Sequence, residues 1–344
     1  MAPVIIPWSM RMPETSPLLA VTDARVTYRR GGRVNHAVRG VDFVLGEGEI
    51  LGLVGESGCG KSSLARALAG LEPLSGGDIQ FCGTSVTGLA GRHRRDYGRL
   101  VQMVFQDPSG SLNPRMTLAQ TLGEVLTVHG IVSRAGAPAG VAALLERVEL
   151  PAGLASRYPH ELSGGQRQRV GLARALALSP RVILADEPVS ALDVSVQVQI
   201  LNLMRELRDR EGIAFLFIAH DLAAVNYLCD RTLVMYAGRM VEEARGQDLW
   251  RAPAHPYTAL LRASIPEMAR RSALPPPSGP PSHGAAPLSG AGTAGLHHCP
   301  FQPRCPRATR ACCESEPALA SVGPGRRSAC FFAMEQLQDT LDDG

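Results

Sequence analysis

The chain has 344 residues and carries 35 Lys and Arg against 32 Asp and Glu, so its formal net charge is only +3. That balance is too mild to predict a nucleic-acid partner, and no apolar run is long enough to span a membrane. The proline-broken apolar run at residues 4–8 does not suit a signal peptide, so we expect a cytoplasmic chain whose cysteines stay reduced. The length predicts one large domain with an extension.

The first predicted elements are two strands joined by a glycine turn. Residues 18–28 form the first strand, Gly31-Gly32 suits the turn, and the second strand lies near residues 37–41. Together they predict an antiparallel entry to the domain. Tyr28 ends the first strand, where its ring either packs across the sheet or stacks on a purine base.

A glycine-rich loop between a predicted strand and a predicted helix is the strongest signal in the sequence. The apolar run at residues 50–54 predicts a buried strand, and residues 64–69 predict a helix. Glycines let backbone amides curl around an anion, and the start of the helix adds its positive dipole end. This segment, called the phosphate loop below, consists of Gly55, Glu56, Ser57, Gly58, Cys59, Gly60, Lys61, Ser62 and Ser63.

Two side chains of the phosphate loop indicate its chemistry. Lys61 is placed to reach the β- and γ-phosphates of a nucleotide, and the Ser62 hydroxyl is placed to bind Mg²⁺. Lys61 is the sole lysine of the chain, and its compact ammonium fits inside a backbone cradle where a planar guanidinium does not. The alternative is a tight turn that binds no ligand, but the complete motif in this context favours a nucleotide site.

Polar side chains follow three further apolar runs. The runs are residues 100–105, 182–187 and 214–219, and the polar residues at their carboxyl ends are Gln106, Asp186, Glu187 and His220. Taken alone, these are ordinary loop residues, a helix cap and a structural histidine. With a phosphate loop upstream, Asp186 suits Mg²⁺ ligation beside Ser62, and Glu187 suits the orientation or deprotonation of an attacking water.

A short motif before the helix at residues 167–176 completes a recognisable set. With Leu162-Ser163-Gly164-Gly165-Gln166 in its place between Gln106 and Asp186, the chain resembles the ATP-binding cassette (ABC) ATPases over residues 18–265. The resemblance implies an α/β P-loop NTPase cassette. Its parts are a mainly parallel sheet core, an antiparallel N-terminal β subdomain and a helical subdomain at about residues 107–180.

The resemblance also implies how the site works with its cofactors, ATP and Mg²⁺. Tyr28 stacks on adenine, Gln106 senses Mg²⁺ and the attacking water, and His220 contacts the γ-phosphate. Asp193 lies on a loop that crosses a dimer interface. Ser163, Gly164, Gly165 and Gln166 bind the phosphate of an ATP that the opposite subunit holds.

Several segments look like the oligopeptide, dipeptide and nickel importer branch of this family; they are residues 104–108, 111–114, 158–163 and 254–258. The resemblance implies ATP hydrolysis that powers import of peptides, or of a small solute such as nickel. The implied partners are a second, different ABC ATPase, two membrane permeases and, indirectly, an extracytoplasmic solute-binding protein, at the cytoplasmic face of the plasma (inner) membrane. The alternative is a soluble ABC ATPase of nucleic-acid or phosphonate metabolism.

The C-terminal part has a different composition. Residues 266–335 are predicted to form an extension, with a Pro/Gly/Ser/Ala-rich flexible connector at 275–295, and residues 1–17 and 336–344 are predicted to be tails.

Four of the five cysteines in this extension are candidate ligands. Cys299, Cys305, Cys312 and Cys330 are separated by five, six and seventeen residues, whereas zinc ribbons favour closer pairs. The importer resemblance allows a [4Fe–4S] cluster on the four thiolates. The alternatives are reduced thiols that pack a small tail and, behind these, a zinc site.

Overall fold

The computed structural model describes residues 17–106, 108–264 and 298–342, so the predicted connector at 275–295 lies outside the described residues. The strands are β1 (Leu19–Arg30), β2 (Arg33–Leu45), β3 (Ile50–Val54), β4 (Gly76–Phe81), β5 (Thr84–Ser85), β6 (Val101–Val104), β7 (Val182–Asp186), β8 (Ala214–Ala219), β9 (Arg231–Tyr236), β10 (Arg239–Arg245), β11 (Ala320–Gly323) and β12 (Arg326–Ser328). The helices are α1 (Lys61–Leu68), α2 (Gly91–Leu100), α3 (Pro108–Ser111), α4 (Leu118–Val128), α5 (Ala137–Arg147), α6 (Gly164–Leu176), α7 (Val194–Glu211), α8 (Leu222–Leu228), α9 (Gly246–Arg251), α10 (Pro256–Ala263), α11 (Arg310–Glu314) and α12 (Ala333–Asp342).

The larger sheet has the strand order β11-β12-β10-β9-β3-β8-β7-β6, and its strands from β9 to β6 run parallel. The strands β3, β7 and β8 are buried along their whole length, as expected for a parallel sheet covered on both faces. In β3, Ile50 and Val54 enter one hydrophobic core while Leu51 and Leu53 enter the other. The predicted α/β class with a mainly parallel sheet is confirmed.

The smaller sheet has the order β2-β1-β4-β5, and its described pairs are antiparallel. The predicted antiparallel pair is therefore confirmed, but β2 is longer than the sequence indicated. It begins at Arg33 because Gly31 and Gly32, with φ of 54° and 75°, form a two-residue turn that pairs Arg30 directly with Arg33.

The C-terminal extension adds strands to the larger sheet. Strand β12 pairs antiparallel with β10, which places Ser328 opposite Glu242. The carboxylate of Glu242 is completely buried. It accepts hydrogen bonds from the backbone N–H groups of Ala254 (2.8 Å) and His255 (2.9 Å) and from Arg326 of the extension (3.1 Å). A buried carboxylate is costly unless its oxygens are hydrogen-bonded. Because Arg326 supplies one of these bonds and β12 extends the sheet, the extension is part of the packed structure of the domain.

Among the residues that the structure describes, none of the helices combines the length and the apolar character needed to cross a membrane.

The buried His255 makes folding stability depend on pH. Its Nδ1 accepts the Tyr257 N–H at the start of α10 (3.0 Å), and burial lowers the pKa of His255 from 6.5 to about 3. As pH falls, the imidazole of His255 is therefore protonated in the unfolded chain before it is protonated in the folded one. The contribution of neutral His255 to folding stability is complete above pH 6.5 and is lost as pH falls towards 3. In His255→Asn, which keeps an acceptor at the helix start, we expect the pH slope of unfolding free energy in this window to fall by up to about 1.4 kcal/mol per pH unit.

Urea unfolding at several pH values measures that slope. The matched control is His160→Asn at an exposed position, which is expected to retain the parent's slope. Equal slopes for the parent and His255→Asn would show that His255 does not resist protonation in the fold.

Candidate nucleotide site

The phosphate loop turns tightly between β3 and α1. A Cβ atom on Gly55 would lie 2.1 Å from the Met235 carbonyl oxygen, and one on Gly60 would lie 2.1 Å from the Ala37 carbonyl oxygen. Both glycines also have positive φ, 156° and 112°. The loop is therefore wedged between neighbouring backbones in a conformation that only glycine adopts without strain.

Lys61 is nearly buried, with 5% of its surface exposed. Its Nζ donates to the carbonyl oxygens of Gly55 (2.7 Å) and Glu56 (2.9 Å), and no ion pair joins it to a carboxylate in the described ranges. Because its partners are neutral, the ammonium leaves an uncompensated positive charge at the loop. Such a charge favours binding of an anion.

Ser62 and Asp186 meet beside this lysine. The Ser62 Oγ donates to the Asp186 Oδ1 (3.1 Å), and Asp186 at the end of β7 is 4% exposed, so that burial raises the pKa of its carboxyl group. A hydroxyl and a carboxylate oxygen are ligands that suit Mg²⁺, which completes its shell with waters and phosphate oxygens. The two residues fit a magnesium–nucleotide complex.

Glu187 connects two of the other predicted site residues. Its Oε2 accepts the Gln106 Nε2–H (2.8 Å) and lies 3.3 Å from the His220 Nδ1. Its backbone N–H donates to the Ile218 carbonyl (2.9 Å), and its φ of 48° lies in the left-handed region that glutamate rarely adopts. The backbone of Glu187 is thus held in a strained conformation at the sheet edge from which the phosphate loop also leaves.

The segment at residues 162–166 is held by contacts at the start of α6 and with α7. Ser163 is the N-cap of α6, where its hydroxyl accepts the Gln166 N–H and the Gln166 side chain accepts the Ser163 N–H. A Cβ on Gly165 would lie 2.4 Å from the Val196 side chain of α7, so this segment packs against that helix. In the described part of the chain, no hydrogen bond joins it to the phosphate loop.

In the described residues, Asp193 and Tyr28 share no hydrogen bond with Glu187, Gln106 or His220. Asp193 is exposed at the N-cap of α7 and makes no side-chain capping bond. Tyr28 lies opposite Asn35 in the β1–β2 pair and is half-buried against the core that contains Cys59. The contacts therefore link Ser62 to Asp186 and link Glu187 to Gln106 and His220, and among the described residues they do not extend to the other predicted site residues.

Three residues near the phosphate loop were not predicted from the sequence. The Tyr257 hydroxyl accepts the Glu56 N–H (2.9 Å), and Arg304 of the extension binds the Glu56 carboxylate through two hydrogen bonds of 2.9 Å. Tyr236 packs against Tyr257, with ring centroids 4.6 Å apart. Tyr257 lies in the segment 254–258 that the sequence singled out, but nothing local predicts its contact with the phosphate loop, and Arg304 lies 248 positions from Glu56.

The four predicted cysteines come together in the extension. Cys299, Cys305, Cys312 and Cys330 all line one small cavity. Burial raises the thiol pKa of Cys299, Cys305 and Cys330, in the last case to about 11. Within the described residues, no group of three or more His, Cys, Asp or Glu side chains has the arrangement that holds a metal ion.

Comparison with known proteins identifies the same parts. A model of the ABC transporter family matches residues 38–190, and a model of the oligopeptide/dipeptide transporter C-terminal region matches residues 241–312. A Brucella ovis protein named "Putative peptide import ATP-binding protein" is 43% identical over 329 residues, which cover 93% of this chain and 99% of that one. The oligopeptide transport ATP-binding protein AppF of Bacillus subtilis is 42% identical, covering 86% of this chain and 89% of its own.

Solved structures agree with these relatives. A dimeric ATP-binding cassette in a post-hydrolysis state, bound to ADP and Pi, superimposes with a TM-score of 0.61 at 27% identity, covering 66% of this chain and 98% of its own. None of the relatives named above is described as a protein of nucleic-acid or phosphonate metabolism. The two family models, the long alignments and the site geometry agree, and the chain belongs to the ATP-binding proteins of the ABC transporter family, in its oligopeptide/dipeptide branch.

Proposed function

We propose that this chain is the ATP-hydrolysing subunit of an importer for peptides, or for a related small solute such as nickel. The observation that carries the proposal is the meeting, at one sheet edge, of an uncompensated buried Lys61, the Ser62–Asp186 pair and the Gln106–Glu187–His220 group. The names of the relatives, which are peptide and oligopeptide transport proteins, support the choice of solute class.

The phosphate loop binds the triphosphate in this proposal. The amides of residues 55–63 and the Lys61 ammonium hold the β- and γ-phosphates, and Tyr28 stacks on the adenine ring. Ser62, Asp186 and Gln106 hold Mg²⁺, which when bound neutralises phosphate charge in the transition state.

Glu187 is the general base for hydrolysis. Its carboxylate takes a proton from a water while the water oxygen bonds to the γ-phosphorus and the bond to the β–γ bridging oxygen breaks, giving ADP and phosphate. Gln106 fixes the position of the accepting oxygen through its 2.8 Å hydrogen bond. The His220 Nδ1 lies 3.3 Å from the same oxygen, and in this proposal His220 contacts the γ-phosphate.

A second cassette completes the site. Ser163 and Asp193 are exposed, and residues 163–166 form a helix N-terminus that, within the described residues, shares no hydrogen bond with this chain's own phosphate loop. We therefore assign residues 163–166 to the ATP of a partner cassette and Asp193 to the interface. The partner is a different ABC ATPase, and the pair works on two permeases and an extracytoplasmic binding protein at the cytoplasmic face of the inner membrane.

The substitution Glu187→Gln tests the catalytic assignment. It removes the proton acceptor but keeps the shape of the side chain, so we expect the ATPase rate of the assembled transporter to fall by about 100-fold or more while ATP binding persists. Phosphate release and binding of labelled ATP measure the two effects. The control is Glu206→Gln at an exposed position of α7, where Glu206 pairs with Arg210 at 3.6 Å; this variant should keep the parent rate. Hydrolysis at the parent rate by Glu187→Gln would overturn the assignment.

We also propose that the extension binds a [4Fe–4S] cluster through Cys299, Cys305, Cys312 and Cys330. The support is that four thiols with no disulfide bond line one cavity, and thiolates are the ordinary ligands of such a cluster. Because the thiols are not grouped at metal-binding spacing in this structure, the cluster requires them to move closer together.

Iron and acid-labile sulfide analysis of anaerobically purified protein tests the cluster. We expect about four iron atoms per chain, lost in Cys299→Ser and retained in Cys313→Ser, because Cys313 is exposed and is not part of the cavity lining. Protein without iron, or iron content unaffected by Cys299→Ser, would favour the reading of four reduced thiols that pack the tail.

A further inference from the structure

Glu56 of the phosphate loop is held at each of its polar groups. Its N–H donates to the Tyr257 hydroxyl (2.9 Å), its carbonyl accepts from Lys61 Nζ (2.9 Å), and its carboxylate accepts two hydrogen bonds from the Arg304 guanidinium, both 2.9 Å. Lys61 belongs to the loop itself, whereas Tyr257 and Arg304 come from the C-terminal part of the chain. The loop is thus fixed from outside the cassette core.

The negative charge of Glu56 opposes the binding of phosphate groups by the phosphate loop. A carboxylate beside an anion-binding nest repels the phosphates of a nucleotide. Arg304 neutralises this charge through a bidentate ion pair, which is the strongest geometry for a guanidinium and a carboxylate. The pair is partly exposed, with 39% and 41% of the two side chains accessible, so its contribution to folding stability is small. Its more important effect is on the charge beside the phosphate loop.

Arg304 is placed by a rigid part of the extension. It ends the 3₁₀ turn Gln302–Arg304 directly after Phe301. Phe301 is 1% exposed and packs on the rings of Tyr236 and Tyr257, with centroids 5.3 and 5.5 Å away. The guanidinium carbon lies 5.8 Å from the Tyr236 ring centre, and the Tyr236 hydroxyl accepts a long hydrogen bond from Arg304 (3.5 Å). The aromatic cluster therefore fixes the distance between the extension and the phosphate loop.

We propose that Arg304 is a positioning residue for nucleotide binding, supplied by the C-terminal extension, which neutralises and orients Glu56 of the phosphate loop. The inference rests on the proposed function, since it assumes that the loop binds ATP. It gives the extension a direct effect on ATP affinity. Because Cys305 follows Arg304 in the chain, any change that displaces this segment also displaces the guanidinium from Glu56.

Equilibrium binding of labelled Mg·ATP to the purified full-length chain tests this inference. Arg304→Gln leaves the Glu56 carboxylate uncompensated, so we expect ATP to bind roughly five-fold more weakly, with the difference shrinking at high salt. The matched control is Arg310→Gln in the same extension. Arg310 is 91% exposed and pairs with Glu314 on its own helix, so this variant should bind ATP as the parent does.

A double variant separates an electrostatic role from a merely structural one. In Glu56→Gln/Arg304→Gln the repelling charge is removed along with its partner, so we expect affinity to return to within about two-fold of the parent. If Arg304→Gln binds ATP as well as Arg310→Gln does, or if the double variant remains as weak as Arg304→Gln, the inference is overturned.

Lys61→Ala distinguishes failure of the inference from failure of the proposed function. If the parent binds ATP and Lys61→Ala does not, the nucleotide site stands and the Arg304 variants decide the inference by themselves. If the parent binds no ATP, both the proposed function and the inference fail. A thermal melt of each variant identifies any loss of affinity that comes from unfolding. If Arg304→Gln misfolds and the added Glu56→Gln substitution does not restore its folding, that result also counts against the inference.

Discussion

The register of three parallel strands is the constraint on which the site depends. Val54 of β3 lies beside Ala219 of β8, and Ile218 of β8 lies beside Asp186 of β7. Val54, Ala219 and Asp186 are the last residues of their strands, so the phosphate loop, the two carboxylates and His220 leave the sheet at one edge. A slip of one residue would turn each side chain to the opposite face of the sheet. Burial of the strands on both faces resists such a slip, because it would exchange the residues between two packed cores.

The same edge carries strain and uncompensated charge. Glu187 has a left-handed backbone conformation, and Lys61 is buried without a carboxylate partner in the described residues. Both features cost stability in the free chain, and both suit binding of a phosphate and attack on it. The Glu187 carboxylate accepts a hydrogen bond from Gln106, so in the proposed mechanism little reorganisation of this group remains.

The extension is part of the cassette's structure. Through β12 and Arg326 it meets the buried Glu242, and through Arg304 it meets the phosphate loop. Buried His255 and the aromatic rings of Tyr236, Tyr257 and Phe301 fill the space between these two contacts. Phe301 lines the cysteine-lined cavity and packs on Tyr257, which binds the phosphate loop. A displacement of Phe301 would therefore also change the packing of Tyr257 at the phosphate loop.

The sequence by itself determined the elements whose signals are local. Strands β3 and β8 occupy the predicted residues, because continuous apolar runs bounded by polar residues encode buried strands. The phosphate loop was predictable because its conformation is encoded by glycines and a lysine within nine consecutive positions. The placement of the two carboxylates was predictable because the carboxyl ends of parallel strands meet at one edge of the sheet. Only the tertiary structure decided that Arg304 binds Glu56, that the extension joins the sheet edge, and that Gly165 packs against Val196 of α7. These contacts join residues far apart in the chain, and a long-range ion pair or an added edge strand leaves no periodicity in the sequence by which it could be found.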